Sequence, residues 1–428
     1  VGERFELKLD GIAHGGEALG WTQGRVVFVP FAIPGERVRV ELVEEKPRWS
    51  RARLVEVLEP SPDRVDPPCP YFGPEKCGGC QWQHVAYERQ ASLKQEILAD
   101  QLRRLGHIED PLVADVIALA GPAGPDGAAT EYDILAFGYR NHAHFVVDHE
   151  GRLGLRGLPP TGVMPVDHCL LLHERLDDLY GALDVLWPSL NGVTLRTAIS
   201  TGQSLVVLEA SGDEQPELEI DVPAACAVRT RRGIQPLIGE PWVEDQVAGH
   251  LFRVSAGSFF HANTTGAEAL VEVVASYLEP RPTDCLLDAY CGVGLFAVGL
   301  ADLVGQLIGI DSSHSACEDF AHNAGARDGV ALHEGAVSDV LPILREQGQS
   351  VDLVVMDPPA TGAGVEVVGR LAALSPRRIV YVAGDPAMLA RDSVHLRSAG
   401  YDLVEAQPVD MFPQTCQLET VALWERSK

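Results

Sequence analysis

Between residues 5 and 59 apolar and polar residues alternate, through FELKLDGI, GRVVFVPFAIPGERVRVELVEE and SRARLVEVLEP, with HGG, PGE and KPRW between the runs. A period of two places successive side chains on opposite faces of a strand. Short strands with Gly and Pro punctuation predict a small antiparallel β-barrel of the oligonucleotide-binding type over residues 1–60. The proline-rich SPDRVDPPCP marks its exit. The period then changes: Leu93, Ile97, Leu98, Leu102 and Leu105 share one face of a helix over 85–106, closed by Gly106. GPAGPDGAATEYD reads as a long loop. Alternation returns from 138 to about 240, in HAHFVVDHEGRLGLRG and TLRTAISTGQSLVVLEAS, which predicts a β-rich central domain over 61–243.

From 244 onward the texture is different. LLDAYCGVGLFAVGLA, LIGIDSS, VDLVVMDPP and RRIVYVAGDP are short apolar runs that each stop at a turn, with helical stretches between them. Strands alternating with helices predict a parallel, doubly wound, Rossmann-like sheet over 244–428. A last strand pair surrounds YDLVEAQPVDMFPQTCQLETVALWER. The expectation is a multidomain α/β chain with no internal repeat, and the 85–106 helix is free to pack on the C-terminal domain.

Composition changes this picture in two places. The formal net charge is −27, with a pI near 4.8, which excludes a nucleic-acid binder held by bulk charge but leaves room for a local basic groove. Lys46, Arg48, Arg51 and Arg53 gather near one turn and are candidate phosphate contacts, with a solvated hairpin as the alternative. No apolar run is long enough to span a bilayer, and VGERFELKLD lacks the core of a signal peptide, so a soluble cytoplasmic protein with no membrane partner is expected.

The chemistry concentrates at strand ends. In DAYCGVG, Gly292 and Gly294 follow a strand ending at Asp288, where glycines let backbone amides approach a ligand. Asp311 closes the next strand, at a spacing that suits a ribose hydroxyl. The turn reads GxGxxA, with Ala297 third, so a dinucleotide stays open as the ligand. The acid before the turn and the later strand-end Asp357 of DPP, a place to hold a substrate amine or base, favour S-adenosylmethionine. Cys69, Cys77 and Cys80 crowd into CPYFGPEKCGGC, and Cys169 offers a fourth thiolate. That spacing suits either a cubane iron–sulfur cluster or a structural zinc.

Taken in order, GRVVFVPFAIPGERV, CPYFGPEKCGGCQWQH, Cys169, SAGSFFHAN, DAYCGVG, DPP and FPQTCQLE resemble the iron–sulfur-containing RNA 5-methyluridine methyltransferases of ribosomal and transfer RNA, over nearly the whole chain. The resemblance implies a TRAM domain for the barrel, a class I methyltransferase domain at the C-terminus, and a [4Fe-4S] cluster on Cys69, Cys77, Cys80 and Cys169. It implies adenosylmethionine contacts at Tyr290, Asp311 and Asp357 beside Asp288, Gly292 and Gly294. His261 stands where FxQxN carries glutamine. RNA is the implied partner, with its target base single-stranded or splayed out, and a monomer is expected.

Uracil C5 is a poor nucleophile until a thiolate adds to C6; a base later removes the C5 proton. The resemblance assigns the base to Glu419. Its nucleophile belongs in a motif reading SCNP or ACDP, and here the text is Ala383-Gly384-Asp385-Pro386: the cysteine is absent. Ala360 replaces the arginine of DPPR, Gln417 the histidine of FPxTxHxE, and Ala336 a polar contact. Three outcomes stay open. A uracil-C5 enzyme could use another thiol, Cys416 before Cys291. A non-catalytic descendant would bind RNA or adenosylmethionine in RNA folding or assembly. A methyltransferase could act without a covalent adduct.

Overall fold

The computed structural model describes residues 2–121, 134–183, 185, 187–212 and 222–427; most of the GPAGPDGAATEYD segment lies outside them. Strands β1 (Arg4–Ile12), β2 (Ala18–Thr22), β3 (Arg25–Val29), β4 (Arg37–Glu45) and β5 (Trp49–Glu59) close a barrel in the order β1-β2-β3-β5-β4. Alternate residues (Leu7, Leu9, Val27, Val29, Val38, Val40) fill its interior, as the period of two requires. One pair departs from the expected antiparallel pattern, because β3 and β5 run parallel. The chain must cross the barrel end through β4 before it can return beside β3. Buried Glu36 fastens the exit, accepting from Ile33 N, Ser61 N and the Arg64 guanidinium.

Helix α1 (Tyr87–Arg104) buries Leu98 and Leu102 in the same core as Leu287, Met356 and Tyr381, so it packs beneath the C-terminal sheet. Gln90 and Lys94 are also buried on it, which the apolar pattern did not anticipate. The central region holds one seven-stranded sheet built from β6 (His142–Val147), β7 (Leu153–Arg156), β8 (Val163–Met164), β9 (Leu190–Thr197), β10 (Ser204–Ala210), β11 (Ala225–Thr230) and β12 (Gly233–Ile238). Its order is β12-β11-β10-β9-β6-β7-β8, and α2 (Glu174–Gly181) packs Leu176 and Leu179 against it. A separate hairpin, β13 (Trp242–Val247) with β14 (His250–Ser255), leads into α3 (Thr264–Leu278).

The C-terminal sheet runs β17-β16-β15-β18-β19-β21-β20. Strands β15 (Cys285–Ala289), β16 (Gln306–Asp311), β17 (Val330–Glu334), β18 (Leu353–Met356) and β19 (Arg378–Ala383) are parallel, while β20 (Tyr401–Val409) and β21 (Glu419–Arg426) form an antiparallel end. Helices α4 (Leu295–Leu300), α5 (His314–Ala324), α6 (Val337–Glu346), α7 (Gly364–Ala373) and α8 (Pro386–Ser398) make the crossovers. Order reverses at β15, so the crevice beyond the ends of β15 and β18 is the switch point where such sheets bind ligands. Among the described residues no helix is long and apolar enough to cross a membrane.

Candidate active site

At the end of β15, Asp288 is fully buried. Its Oδ2 accepts from Ala297 N at 2.9 Å, whereas Oδ1 has no partner. Burial holds its pKa well above the ordinary carboxylate range. The chain then turns through Tyr290, which has φ +66°, Gly292 and Gly294. A non-glycine residue in that region is strained, as is frequent at ligand-binding turns. A Cβ on Gly292 would meet nothing within 4 Å, so the cradle is open on that side. Asp311, at the end of β16, spans it, accepting from Gly292 N at 2.9 Å and from Ser313 N at 2.8 Å. Asp288 and Asp311 are thus both hydrogen-bonded to this segment, in which Tyr290 and Gly294 lie beside Gly292.

The second half of the site lies beyond β18 and β19. Asp357 follows β18, and His261 Nε2 lies 3.6 Å from its Oδ2. Burial lowers His261 to about 4, leaving a neutral imidazole, and raises Asp357 to about 7. Glu419, the first residue of β21, pairs across the ladder with Val409. Its carboxyl is buried, its Oε2 has no partner, and burial followed by the charge of Asp357 raises its pKa well above the usual value. Ala383 pairs with Thr420, which brings Gly384 against Glu419: a Cβ on Gly384 would stand 3.0 Å from Glu419 Oε1. The crevice thus ends in two carboxyls of raised pKa, a neutral histidine and a glycine.

Among the described residues, the atoms nearest a Cβ on Gly384 belong to Glu419 and not to a thiol. Cys416 packs with Trp82, Ile33 and Ile97, and its Sγ faces Gln81 Oε1 at 3.8 Å. Cys291 Sγ lies behind the turn, 3.1 Å from where a Cβ on Gly309 would stand. Burial raises both thiols. Ala336, Ala360 and Gln417 are all exposed, and so sit at rims rather than in the buried centre.

Several positioning residues carried no motif. Buried Asp392 accepts from Ala363 N, Gly364 N and Tyr381 Oη, which ties the segment after DPP to β19 and α8. Lys94 of α1 pairs with Asp410 in full burial and donates to Phe412 O. Gln81 N and Trp82 N both donate to Gln414 O, and Gln90 exchanges two hydrogen bonds with Gln414. The loop that carries Glu419 is therefore held by α1 and by the segment next to Cys80.

Cys69, Cys77, Cys80 and Cys169 line one cavity together with Tyr71 and Leu171. Gly79 N and Gln83 Nε2 lie 3.4 and 3.2 Å from the Cys77 and Cys80 sulfurs. Among the described residues no three His, Cys, Asp or Glu side chains are grouped to hold a metal ion. A single tetrahedral zinc needs its sulfurs within roughly 3.8 Å of one another. The four cysteines lining one cavity would supply the thiolates that either a zinc ion or a cluster takes.

Of the two readings of the barrel's cations, phosphate contacts or a solvated hairpin, the pairing fits the second. Arg51 makes two hydrogen bonds to Glu17, Arg53 bonds Glu41, and Lys46 lies 3.3 Å from Glu44. Lys46, Arg51 and Arg53 are each balanced by a neighbouring carboxylate, whereas Arg48 has no such partner among the described residues.

A barrel joined to a doubly wound sheet whose switch-point crevice carries acids at three strand ends defines a methyltransferase architecture. Residues 1–55 match the TRAM domain, and residues 283–367 match the RNA cap guanine-N2 methyltransferase family. An uncharacterised RNA methyltransferase of Streptomyces coelicolor is 39% identical over 99% of this chain and 93% of its own. Another, from Thermosynechococcus vestitus, is 32% identical over 99% of this chain and 98% of its own. The chain belongs to this family of RNA methyltransferases. A solved Pyrococcus abyssi tRNA (uracil-54, C5)-methyltransferase, in complex with S-adenosyl-L-homocysteine, shares the fold with a TM-score of 0.73 over 98% of this chain and 99% of its own, at 24% identity.

Proposed function

We propose that the chain is an S-adenosylmethionine-dependent RNA methyltransferase that transfers methyl by direct displacement, without a thiol adduct on the base. The observation that carries this reading is Gly384 against Glu419, where the atoms nearest an added Cβ are those of a carboxyl and not of a thiol. Asp288, with its orphaned Oδ1, Tyr290, the open Gly292–Gly294 turn and Asp311 would hold adenosylmethionine. Asp357 and His261 would border its methyl end. The cofactor supplies an electrophilic methyl. The protein's part is to orient the acceptor, exclude water and take up a proton, and the two raised carboxyls are suited to the last task. The uracil-C5 route is a second reading, supported by Glu419 at the family's base position.

The four cysteines would hold the [4Fe-4S] cluster, which would tie the 69–80 segment to Cys169 and so brace the Gln414 loop. Burial pushes Cys80 to about 12 and Cys169 to about 11, so these thiols stay protonated until a metal binds. Anaerobically purified protein should carry roughly four iron and four sulfide per chain; stoichiometric zinc would remove the cluster assignment. The functional reading is tested with methyl-labelled adenosylmethionine and unmodified RNA, on wild type and Gly384→Cys. Label should enter RNA with the wild type. Label that enters only with Gly384→Cys would sink the reading.

A further inference from the structure

The turn between β1 and β2 of the barrel reads Ala13-His14-Gly15-Gly16. Gly15 and Gly16 adopt φ +100° and +84°, a region glycine enters without strain, and Gly16 N donates to Ala13 O at 2.9 Å. This tight turn docks on the rest of the chain. Gly16 O accepts from Trp82 Nε1 at 3.0 Å, and a Cβ on Gly16 would stand 2.6 Å from Cys416 Cβ. On its other side, His14 Nε2 lies 3.5 Å from Asp385 Oδ1. Cys416 precedes Glu419 by three residues, and Asp385 directly follows Gly384. The barrel turn therefore touches both strand ends that carry the Gly384–Glu419 pair.

Docking does not need the His14 side chain, because the glycine backbone, Trp82 and Cys416 already hold the turn. The imidazole keeps 41% of its surface exposed, and its 3.5 Å approach to Asp385 is longer than a good hydrogen bond. Its Nδ1 has no partner among the described residues. Asp385 Oδ1 is held independently of the ring, since it caps α8 by accepting from Ala387 N and Met388 N. His14 is thus a half-exposed donor at the mouth of the crevice. The groups inside are the carboxyls of Asp288, Asp311, Asp357 and Glu419, with the neutral ring of His261. Such a lining suits no phosphate, and an RNA nucleotide that enters brings one with it. Donors at the rim are what that phosphate requires.

We propose that the barrel turn forms one wall of the acceptor pocket and that His14 is a specificity residue, donating a hydrogen bond to the phosphate of the RNA nucleotide that receives the methyl group. The proposal rests on the RNA methyltransferase reading above and deepens it, since it gives the barrel a part in choosing the substrate. A protonated imidazole donates from both nitrogens. Nε2 then serves Asp385 and Nδ1 the phosphate, with the ring between two anions. Phosphate contacts fix the register of a nucleic acid without reading its bases. Here that register sets which nucleotide reaches Gly384.

The test uses the full chain, methyl-labelled adenosylmethionine and a pool of unmodified transfer and ribosomal RNA transcripts, with RNA Kd measured separately by filter binding. His14→Ala should raise both KM and Kd for RNA by roughly tenfold, the lower end for a hydrogen bond to a charged group. The loss should appear there rather than in kcat, adenosylmethionine Kd or the thermal midpoint. His14→Gln, whose amide carries two N–H donors, should recover most of it, and His14→Glu should exceed it. Unaltered RNA KM and Kd in His14→Ala would overturn the proposal. A thermal midpoint lowered alike in His14→Ala and His14→Gln, with equal loss of RNA binding, would also overturn it by making the ring a docking contact. No label in RNA with the wild type would overturn the methyl-transfer reading, and the RNA Kd of His14→Ala would still decide the phosphate contact.

Discussion

Asp357→Asn should make the protein more stable and less active, and the stability gain should depend on pH. Burial raises the Asp357 carboxyl from 3.8 to about 7. A rise of that size corresponds to ~4 kcal/mol of unfavourable ionisation in the folded state. With 21% of the side chain exposed, solvent screening lowers the expected gain on neutralising it to about 1–3 kcal/mol. The sign follows from linkage. The folded pKa lies above the unfolded one, so wild-type stability is complete below about pH 4 and falls as pH climbs through about 7. Asparagine removes that loss. Thermal unfolding at pH 8 should therefore show the variant higher by about 2–12 °C, taking about 2–4 °C per kcal/mol for a domain of this size. The difference should shrink towards zero at pH 4.5. Methyl transfer should fall by about 10²–10⁴, the usual worth of a positioned base. A variant that is less stable at pH 8, shows the same difference at both pH values, or methylates RNA normally would refute the reasoning.

Three further outcomes follow from the same structure. Lys94→Met leaves Asp410 buried without its cation, which should cost about 3–5 kcal/mol and appear as a lowered thermal midpoint. Asp392→Ala frees Ala363 N, Gly364 N and Tyr381 Oη; activity should drop at least tenfold with a loss of about 1–3 kcal/mol in stability, seen by parallel kinetics and unfolding. With RNA containing 5-fluorouridine, Gly384→Cys places a thiol where C6 addition becomes available, and a denaturant-stable protein–RNA complex should form with that variant and not with the wild type.

Much of the fold was readable because it follows local periodicity. The Leu93–Leu102 stripe, the alternation of RVRVELVEE and the strand-ending Asp288, Asp311 and Asp357 are all carried by contiguous residues. The closure of the barrel by parallel β3 and β5 was not, since no pattern in either strand states its neighbour. The candidate site divides in the same way. The crevice acids could be read from turns and spacing, whereas the contact of Gly384 with Glu419 depends on strand pairing across the sheet. Asp392, Lys94 and the Gln90–Gln414 pair escaped because their partners are distant or their signal is polarity inside an otherwise apolar face. The pairing of Arg51 with Glu17 and of Arg53 with Glu41 was not readable, because charge along the chain says nothing of the carboxylates that face it across the barrel.

The central claim is RNA methylation by a crevice that forms no thiol adduct. Tritium release from RNA carrying [5-³H]uridine tests it most directly, because methylation at C5 must expel the C5 hydrogen. Wild-type protein with adenosylmethionine should incorporate methyl into that RNA without releasing tritium. Tritium released in step with methyl incorporation would contradict the account.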